Sequence, residues 1–250
     1  MNREEFDELR SEFAEYIYRY ENFLKNGYLN DLFYTFVFKD LLEPNAKLEF
    51  ENQVMFALNK EKEANKDFDP TDILNASREN QKSLFDTIKR KNILAEETYN
   101  RVKGMVPEDI RNIETRYLQI VKKYHPVVRV FVSEDEKIVF NKLREFYNSN
   151  QMGAFDEILN LNVNLFQDID YKPEQYSNVA GFFYENQKRI NADYTKKANT
   201  YPFNTSEILK DEISVAREKG ELKSKHTKLL RDNQEFKKRF KELYNVDFQL

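Results

Sequence analysis

The last fifth of the chain carries an apolar residue at every seventh position, and this pattern constrains the fold more than any other. The apolar row consists of Ile208, Val215, Leu222, Leu229, Phe236 and Leu243. Such a period places a narrow stripe along one side of an α-helix and is typical of a coiled-coil seam. A helix of this length, roughly 50 Å, needs a partner helix, either from the N-terminal segment or from another copy of the chain.

The row four residues further along the same helix is mostly polar. It reads Glu212, Lys219, His226, Asn233 and Phe240. Only one row is therefore consistently apolar, so the predicted seam is narrow, and His226 is most simply a polar residue within it.

Glycine and proline are scarce, with 5 Gly and 6 Pro in 250 residues. Average usage of these two residues is near 12%, and their low number here indicates long uninterrupted helices. Aromatic residues make up 14% of the chain and can supply a core. We therefore predict an all-α fold with elongated helical arms.

The composition excludes most metal and covalent chemistry. The chain has no Cys and only two His, so zinc ribbons, iron–sulfur clusters, thiolate nucleophiles and His-rich metal sites are not expected. We find no nucleophile elbow, phosphate loop or metal-ligand spacing. The sequence therefore predicts no catalytic residue, no metal and no cofactor, and favours a protein that is not an enzyme.

Charge and hydropathy limit the possible partners and the location. The net charge of −4 offers no general attraction to phosphate backbones, so no nucleic-acid binding is expected. The N-terminus is charged from Arg3 onward, and no apolar run approaches the ~20 residues that span a membrane. We expect neither secretion nor membrane insertion, and therefore a cytoplasmic location.

Several residues predict where helices begin and end. Pro44 is expected to break or kink the first helix near Leu42, and Asp69 followed by Pro70 predicts the start of another. Pro107 opens a helix whose apolar face runs to Tyr124.

Pro126 ends that helix, and the β-branched stretch 127–132 is interpreted as an extended apolar loop. A capping box then starts the next helix, because Ser133 and Glu136 can each satisfy the other's backbone amide. Asn204 with Glu207 is expected to start the final helix.

The segment 117–126, Tyr-Leu-Gln-Ile-Val-Lys-Lys-Tyr-His-Pro, leads into a capped helix containing Phe140, Leu143, Phe146 and Tyr147. This arrangement resembles helix II, loop and helix III of a J domain, the co-chaperone module of DnaJ-like proteins, over about residues 109–159. More loosely, the whole chain resembles a group of bacterial proteins in which a J-like hairpin lies between long helical arms. Their Phe-Pro motif before a final charged helix is similar to 201–204 here.

The resemblance implies a set of partner-binding residues on the second helix and its loop. These are Arg116, Lys122, Lys123, His125, Pro126 and Val127. In the family, a basic helix face docks on a DnaK-type chaperone, and an Asp after His-Pro is needed to stimulate ATP hydrolysis. Position 127 is Val, which cannot accept a hydrogen bond, so loss of that activity is expected.

We divide the chain into an N-terminal arm (1–104), a J-like hairpin (105–160) and a C-terminal arm (161–250). The preferred hypothesis is a protein–protein interaction protein with a degenerate J-like module. One alternative is a working co-chaperone of a DnaK-type chaperone, and another is a structural coiled-coil scaffold. A homodimer through the arms is a further expectation.

Overall fold

The computed structural model describes residues 1–151, 153–162, 164–166 and 169–250, and within these ranges it contains helices and no strand. The predicted all-α class is confirmed. The α-helices are α1 (Arg3–Ala64), α2 (Thr71–Lys103), α3 (Pro107–Tyr124), α4 (Pro126–Arg129), α5 (Glu134–Asn148), α6 (Gly153–Leu161), α7 (Tyr176–Lys197), α8 (Ser206–Leu209) and α9 (Glu212–Tyr244), with a 3₁₀ turn at Pro173–Gln175.

Helix α1 is continuous over 62 residues and passes through Pro44, where a break or a kink was predicted, so no break occurs there. An interior proline loses one backbone hydrogen bond and costs about 3 kcal/mol. Packing on both sides of Pro44 opposes the break: Phe38 is buried in a cluster with Leu222, and Asn45 is buried and bonded to the Leu222 carbonyl. Tertiary contacts therefore override the local preference of proline.

The chain folds into two compact units, each built from separate stretches of sequence. Unit 1 contains residues 1–31 and 100–205, and unit 2 contains residues 32–99 and 206–250. The three consecutive segments predicted from the sequence differ from this division, because both units combine N-terminal with C-terminal residues. Helix α1 contributes its first part to unit 1 and the remainder to unit 2.

In unit 1, α7 packs beside the first part of α1 with the same chain direction. Phe6 stacks on Tyr176 and Phe13 stacks on Phe183, each pair with ring centroids 4.4 Å apart. Both pairs are separated by 170 residues in sequence, so the residue numbers rise together and the helices are parallel. These buried rings belong to the main apolar core of unit 1.

Helices α3 and α5 form a hairpin against α1 in unit 1. The Tyr117 ring of α3 stacks on the Tyr147 ring of α5 with centroids 3.7 Å apart and planes 5° from parallel. The capping box predicted at the start of α5 is present: the Ser133 hydroxyl accepts from the Glu136 amide at 3.2 Å, and Glu136 accepts from the Ser133 amide at 2.7 Å.

Unit 2 contains the remainder of α1 together with α2 as far as Tyr99, α8 and α9. Helix α2 is antiparallel to α1, because Lys39 pairs with Glu96 at 3.0 Å whereas Glu43, further along α1, accepts from Asn92 at 3.1 Å. At the start of α2, the Asp69 carboxylate accepts from the Thr71 amide at 3.0 Å, in agreement with the predicted helix start.

The final long helix begins at Glu212, not near Asn204 as predicted. Asp211 has extended backbone angles, and its carboxylate accepts from the Ser214 amide at 2.7 Å, which makes it the N-cap. Ile208 lies on the separate short helix α8. The apolar row that recurs at every seventh residue therefore begins on α8 and continues on α9, across the break between these two helices.

None of the described helices has an apolar stretch long enough to cross a lipid bilayer.

Candidate functional site

The junction between α3 and α4 is the part of the chain where the J-domain resemblance places its signature loop. His125 is the C-cap of α3, and its amide donates to the Val121 carbonyl at 3.2 Å. Its backbone is extended, as expected before a proline, and Pro126 opens α4 at a position where a missing N–H costs nothing. The His125 ring caps the new helix, since Nδ1 accepts from the Val127 amide at 3.1 Å.

The predicted extended loop at 127–132 is therefore wrong over its first part. Residues Pro126–Arg129 form the helix α4, because Pro126 and the His125 cap together satisfy what a helix start requires. Val127, the departure from the family tripeptide, is half-buried against the core of unit 1.

His125 is only 4% exposed, and its other ring nitrogen faces a carboxylate of α1. Nε2 lies 3.4 Å from Oε1 of Glu21, which is itself 3% exposed. Because Nδ1 accepts from a backbone amide, we assign the proton to Nε2, which donates to Glu21. Glu21 also pairs with Arg144 of α5, with Nε 2.8 Å from Oε2. One carboxylate thus links α1 to both helices of the hairpin.

Burial and charge fix the protonation of this cluster. Burial lowers the pKa of His125, and the hydrogen bond with Glu21 offsets only part of that effect. Burial alone would raise the pKa of Glu21, but His125 and the Arg144 guanidinium outweigh it and hold the pKa below its ordinary value. The pair is therefore a neutral imidazole and a carboxylate at neutral pH.

One turn further along α1, Lys25 is a buried cation, 3% exposed. Its ammonium lies 4.1 Å from the centroid of the Tyr147 ring. Burial lowers the pKa of Lys25 to about 8, with Glu114 acting in the opposite direction.

The three predicted basic partner-binding residues lie on α3, and two of them pair within unit 1. Lys122 binds Glu15 of α1 at 2.7 Å, and Arg116 forms an ion pair with Asp156 of α6. Lys123 is exposed, and its ammonium lies 5.4 Å from the Tyr124 ring centroid.

The segment after α4 contains a strained turn. Val130 has φ 59° and ψ −53°, and the Phe131 amide donates to the Arg129 carbonyl at 2.6 Å, which closes a γ-turn. A β-branched residue in this region costs about 1–3 kcal/mol. The buried Arg129 guanidinium, 2.9 Å from Glu136, anchors the segment, and the Phe131 side chain is 59% exposed.

In unit 2, the predicted seam of α9 packs against α1 of the same chain. Leu222 is 8% exposed, and the other α9 members, Val215, Leu229, Phe236 and Leu243, are half-buried. Between the helices lies a feature that we name the asparagine ladder: Asn45, Asn52 and Asn59 of α1 each donate an amide hydrogen to an α9 carbonyl. The acceptors are Leu222, Leu229 and Phe236, at 3.2, 3.0 and 3.2 Å.

Each donor and acceptor of the ladder are 177 residues apart, so α1 and α9 are parallel and in constant register. The Asn45 and Asn52 side-chain oxygens also find partners on α9: His226 at 2.8 Å and Asn233 at 2.8 Å. The three asparagines were not predicted as functional residues, although their spacing of seven residues is visible in the sequence and matches the period of the α9 seam.

With this geometry described, the chain was compared with protein-family models, with curated proteins and with solved structures. None of the three comparisons finds a match. Within the described ranges no group of His, Asp and Glu is arranged to hold a metal ion. The arrangement itself can do two things: the His125 cluster ties the hairpin to α1, and the asparagine ladder fixes the register of α9.

Proposed function

We propose that this is a cytoplasmic, non-enzymatic protein–protein interaction protein whose J-like hairpin does not stimulate a DnaK-type ATPase. The observation that carries the proposal is the burial of His125. Its ring is 4% exposed and both nitrogens are engaged inside unit 1, by the Val127 amide and by Glu21. A side chain held in this way supports the fold and is not presented to a partner.

The surroundings of His125 support the same proposal. The family resemblance implies a basic helix face and an acidic residue after His-Pro. Here Glu15 and Asp156 pair with Lys122 and Arg116, which reduces the charge that could steer a partner. A partner group that expects the missing carboxylate would meet the methyl groups of Val127, at a cost of about 1–3 kcal/mol per unsatisfied group.

The experiment is ATP turnover by a DnaK-type chaperone, titrated with the natural chain and with Val127→Asp. The matched control is Val132→Asp, a half-buried valine in the same connection. We expect no acceleration by the natural chain. We also expect none from Val127→Asp, because His125 remains buried and bonded.

Two outcomes separate the alternatives. Acceleration by the natural chain, with tighter binding to the chaperone in ATP than in ADP, would establish the co-chaperone alternative and refute the proposal. Acceleration by Val127→Asp but not by Val132→Asp would mean that His125 can still act and that the activity was lost at one side chain. That result would refute the burial argument.

A structural helical scaffold is the second candidate, and the asparagine ladder favours it. Three buried asparagines in constant register give α1 and α9 one defined alignment. Polar residues in a seam commonly have this effect, at a cost in stability. Under this hypothesis Leu222→Asp separates α9 from α1 of the same chain and abolishes the scaffold, measured as a loss of helical circular dichroism, while Lys122→Glu has no effect. Under the docking hypothesis only Lys122→Glu weakens binding to the partner.

A further inference from the structure

A groove of about 440 Å³ lies between α1 and α9 in the second half of their contact in unit 2. Phe56 of α1 and Phe236 of α9 line it, with ring centroids 5.9 Å apart. Phe56 is 57% exposed and lies in the last third of α1. Burying an exposed phenylalanine is favourable, so this groove favours association.

The asparagine ladder is incomplete at the same groove. Asn59 lines it and is 6% exposed. Its amide donates to Phe236, but its side-chain oxygen is buried and has no donor within the described part of the chain. The two preceding rungs use His226 and Asn233, and the next residue in that row is Phe240, which has no donor. A buried acceptor without a donor is energetically unfavourable.

The charges around the groove indicate what covers it. Arg239 is occupied by Glu63 at 2.7 Å and by Glu242 at 3.3 Å. The remaining charged residues of the lining are Lys60, Lys238 and Glu235. No ion pair is formed by these three in the residues that the structure describes.

Glu235 and Lys238 are three residues apart and therefore share one face of α9. A surface patch with one negative and one positive side chain can be complementary to a second copy of itself. When a two-fold axis brings two α9 helices together antiparallel, each Glu235 meets a Lys238 of the other copy. A partner of one charge sign would leave one of the two groups unpaired.

We propose that unit 2 self-associates through this groove, with a second copy of the chain as the occupant. Phe56 of one copy packs against Phe236 of the other, and Glu235 pairs with Lys238 across the two-fold axis. The interface is distinct from the α1–α9 seam, which is satisfied within one chain. It is also independent of the proposed loss of chaperone coupling.

The first test is the mass of the full chain in solution, by sedimentation equilibrium over a wide concentration range, with Phe56→Asp. The matched control is Ile213→Asp, which changes an 83% exposed residue of α9 outside the groove. We expect the natural chain and the control to reach twice the chain mass with the same dissociation constant. Phe56→Asp should dimerise at least tenfold more weakly, with an unchanged helical circular dichroism signal.

The second test uses charge. Glu235→Lys and Lys238→Glu should each weaken dimerisation, and the double exchange should restore it, because the pair is re-formed with opposite polarity. A natural chain that keeps the mass of one copy at all concentrations would overturn the proposal. So would a dimer that Phe56→Asp and Ile213→Asp affect equally, or that the double exchange fails to restore.

Discussion

Substitution of Lys25 would measure how much free energy of unfolding this fold loses by burying a charge. The residue is 3% exposed and its pKa falls from 10.5 to about 8 on folding. One pKa unit corresponds to about 1.4 kcal/mol, so keeping this lysine charged at pH 7 costs the folded state about 3 kcal/mol. The contact of its ammonium with the Tyr147 ring, 4.1 Å away, returns about 0.5–2 kcal/mol.

The perturbation is Lys25→Met, which retains the apolar stem and removes the charge. We expect a gain in the free energy of unfolding of about 1–2 kcal/mol at pH 7, measured by urea denaturation. The control is Lys123→Met, which changes an exposed lysine, and we expect it to have no effect.

The pH dependence gives a second and sharper readout. Between pH 8 and 10.5 the unfolded chain still binds the Lys25 proton while the folded chain has released it, so the stability of the natural chain rises with pH. In Lys25→Met this contribution is absent, and the gain over the natural chain shrinks toward pH 10.5. A variant that is less stable at pH 7, with an unchanged pH slope, would refute the reasoning.

Three further predictions concern packing, the asparagine ladder and the buried carboxylate. A Cβ at the buried Gly27 would overlap the Phe203 ring, so Gly27→Ala should lower the melting temperature by an amount equivalent to about 1–3 kcal/mol. The control is Gly220→Ala, which should raise the melting temperature slightly because there is open space around Gly220. Asn52→Ala removes two hydrogen bonds between α1 and α9 and should cost about 1–3 kcal/mol in urea denaturation; full stability would contradict the ladder. Glu21→Gln should cost about 2–3 kcal/mol at pH 7. That difference in stability should shrink below pH 4.5. A carboxylate with a lowered pKa stabilises the fold above its unfolded pKa, and this stabilisation is lost as the folded carboxylate protonates. A difference independent of pH would show that the charge of Glu21 is not involved.

The helical class and several helix starts could be predicted from local sequence. Scarce glycine and proline give long helices, and the signals at Asp69 and Ser133 depend on residues no more than three positions apart. The predicted break at Pro44 failed because the competing contacts come from residues far along the chain, such as Leu222. Local sequence signals therefore predict helix boundaries correctly where no contact with a distant part of the chain opposes them.

The candidate site was less predictable for the same reason. His125 was identified as a partner-binding residue, but its environment depends on Glu21, which is 104 positions away in the sequence. No sequence pattern near His125 predicts that the Glu21 carboxylate lies beside it. The asparagine ladder could have been predicted in part, because α1 and α9 share a period of seven residues. That shared period does not show whether the two helices pair within one chain or between two copies.

The interleaving of the two units has a consequence for biosynthesis. The ribosome releases α1 before two of the helices that cover it, because α7 and α9 begin only at Tyr176 and Glu212. At about 5–20 residues per second, the nascent α1 lacks α7 for roughly 6–20 seconds and lacks α9 for longer, although α2 and the α3–α5 hairpin can already pack on it. Unit 1 cannot be completed before Thr205 has been made, and unit 2 cannot be completed before Leu250 has been made. A chain truncated before α7 would lack one partner helix of α1 in each unit, so we expect premature termination to yield products that aggregate or are degraded rather than one surviving domain.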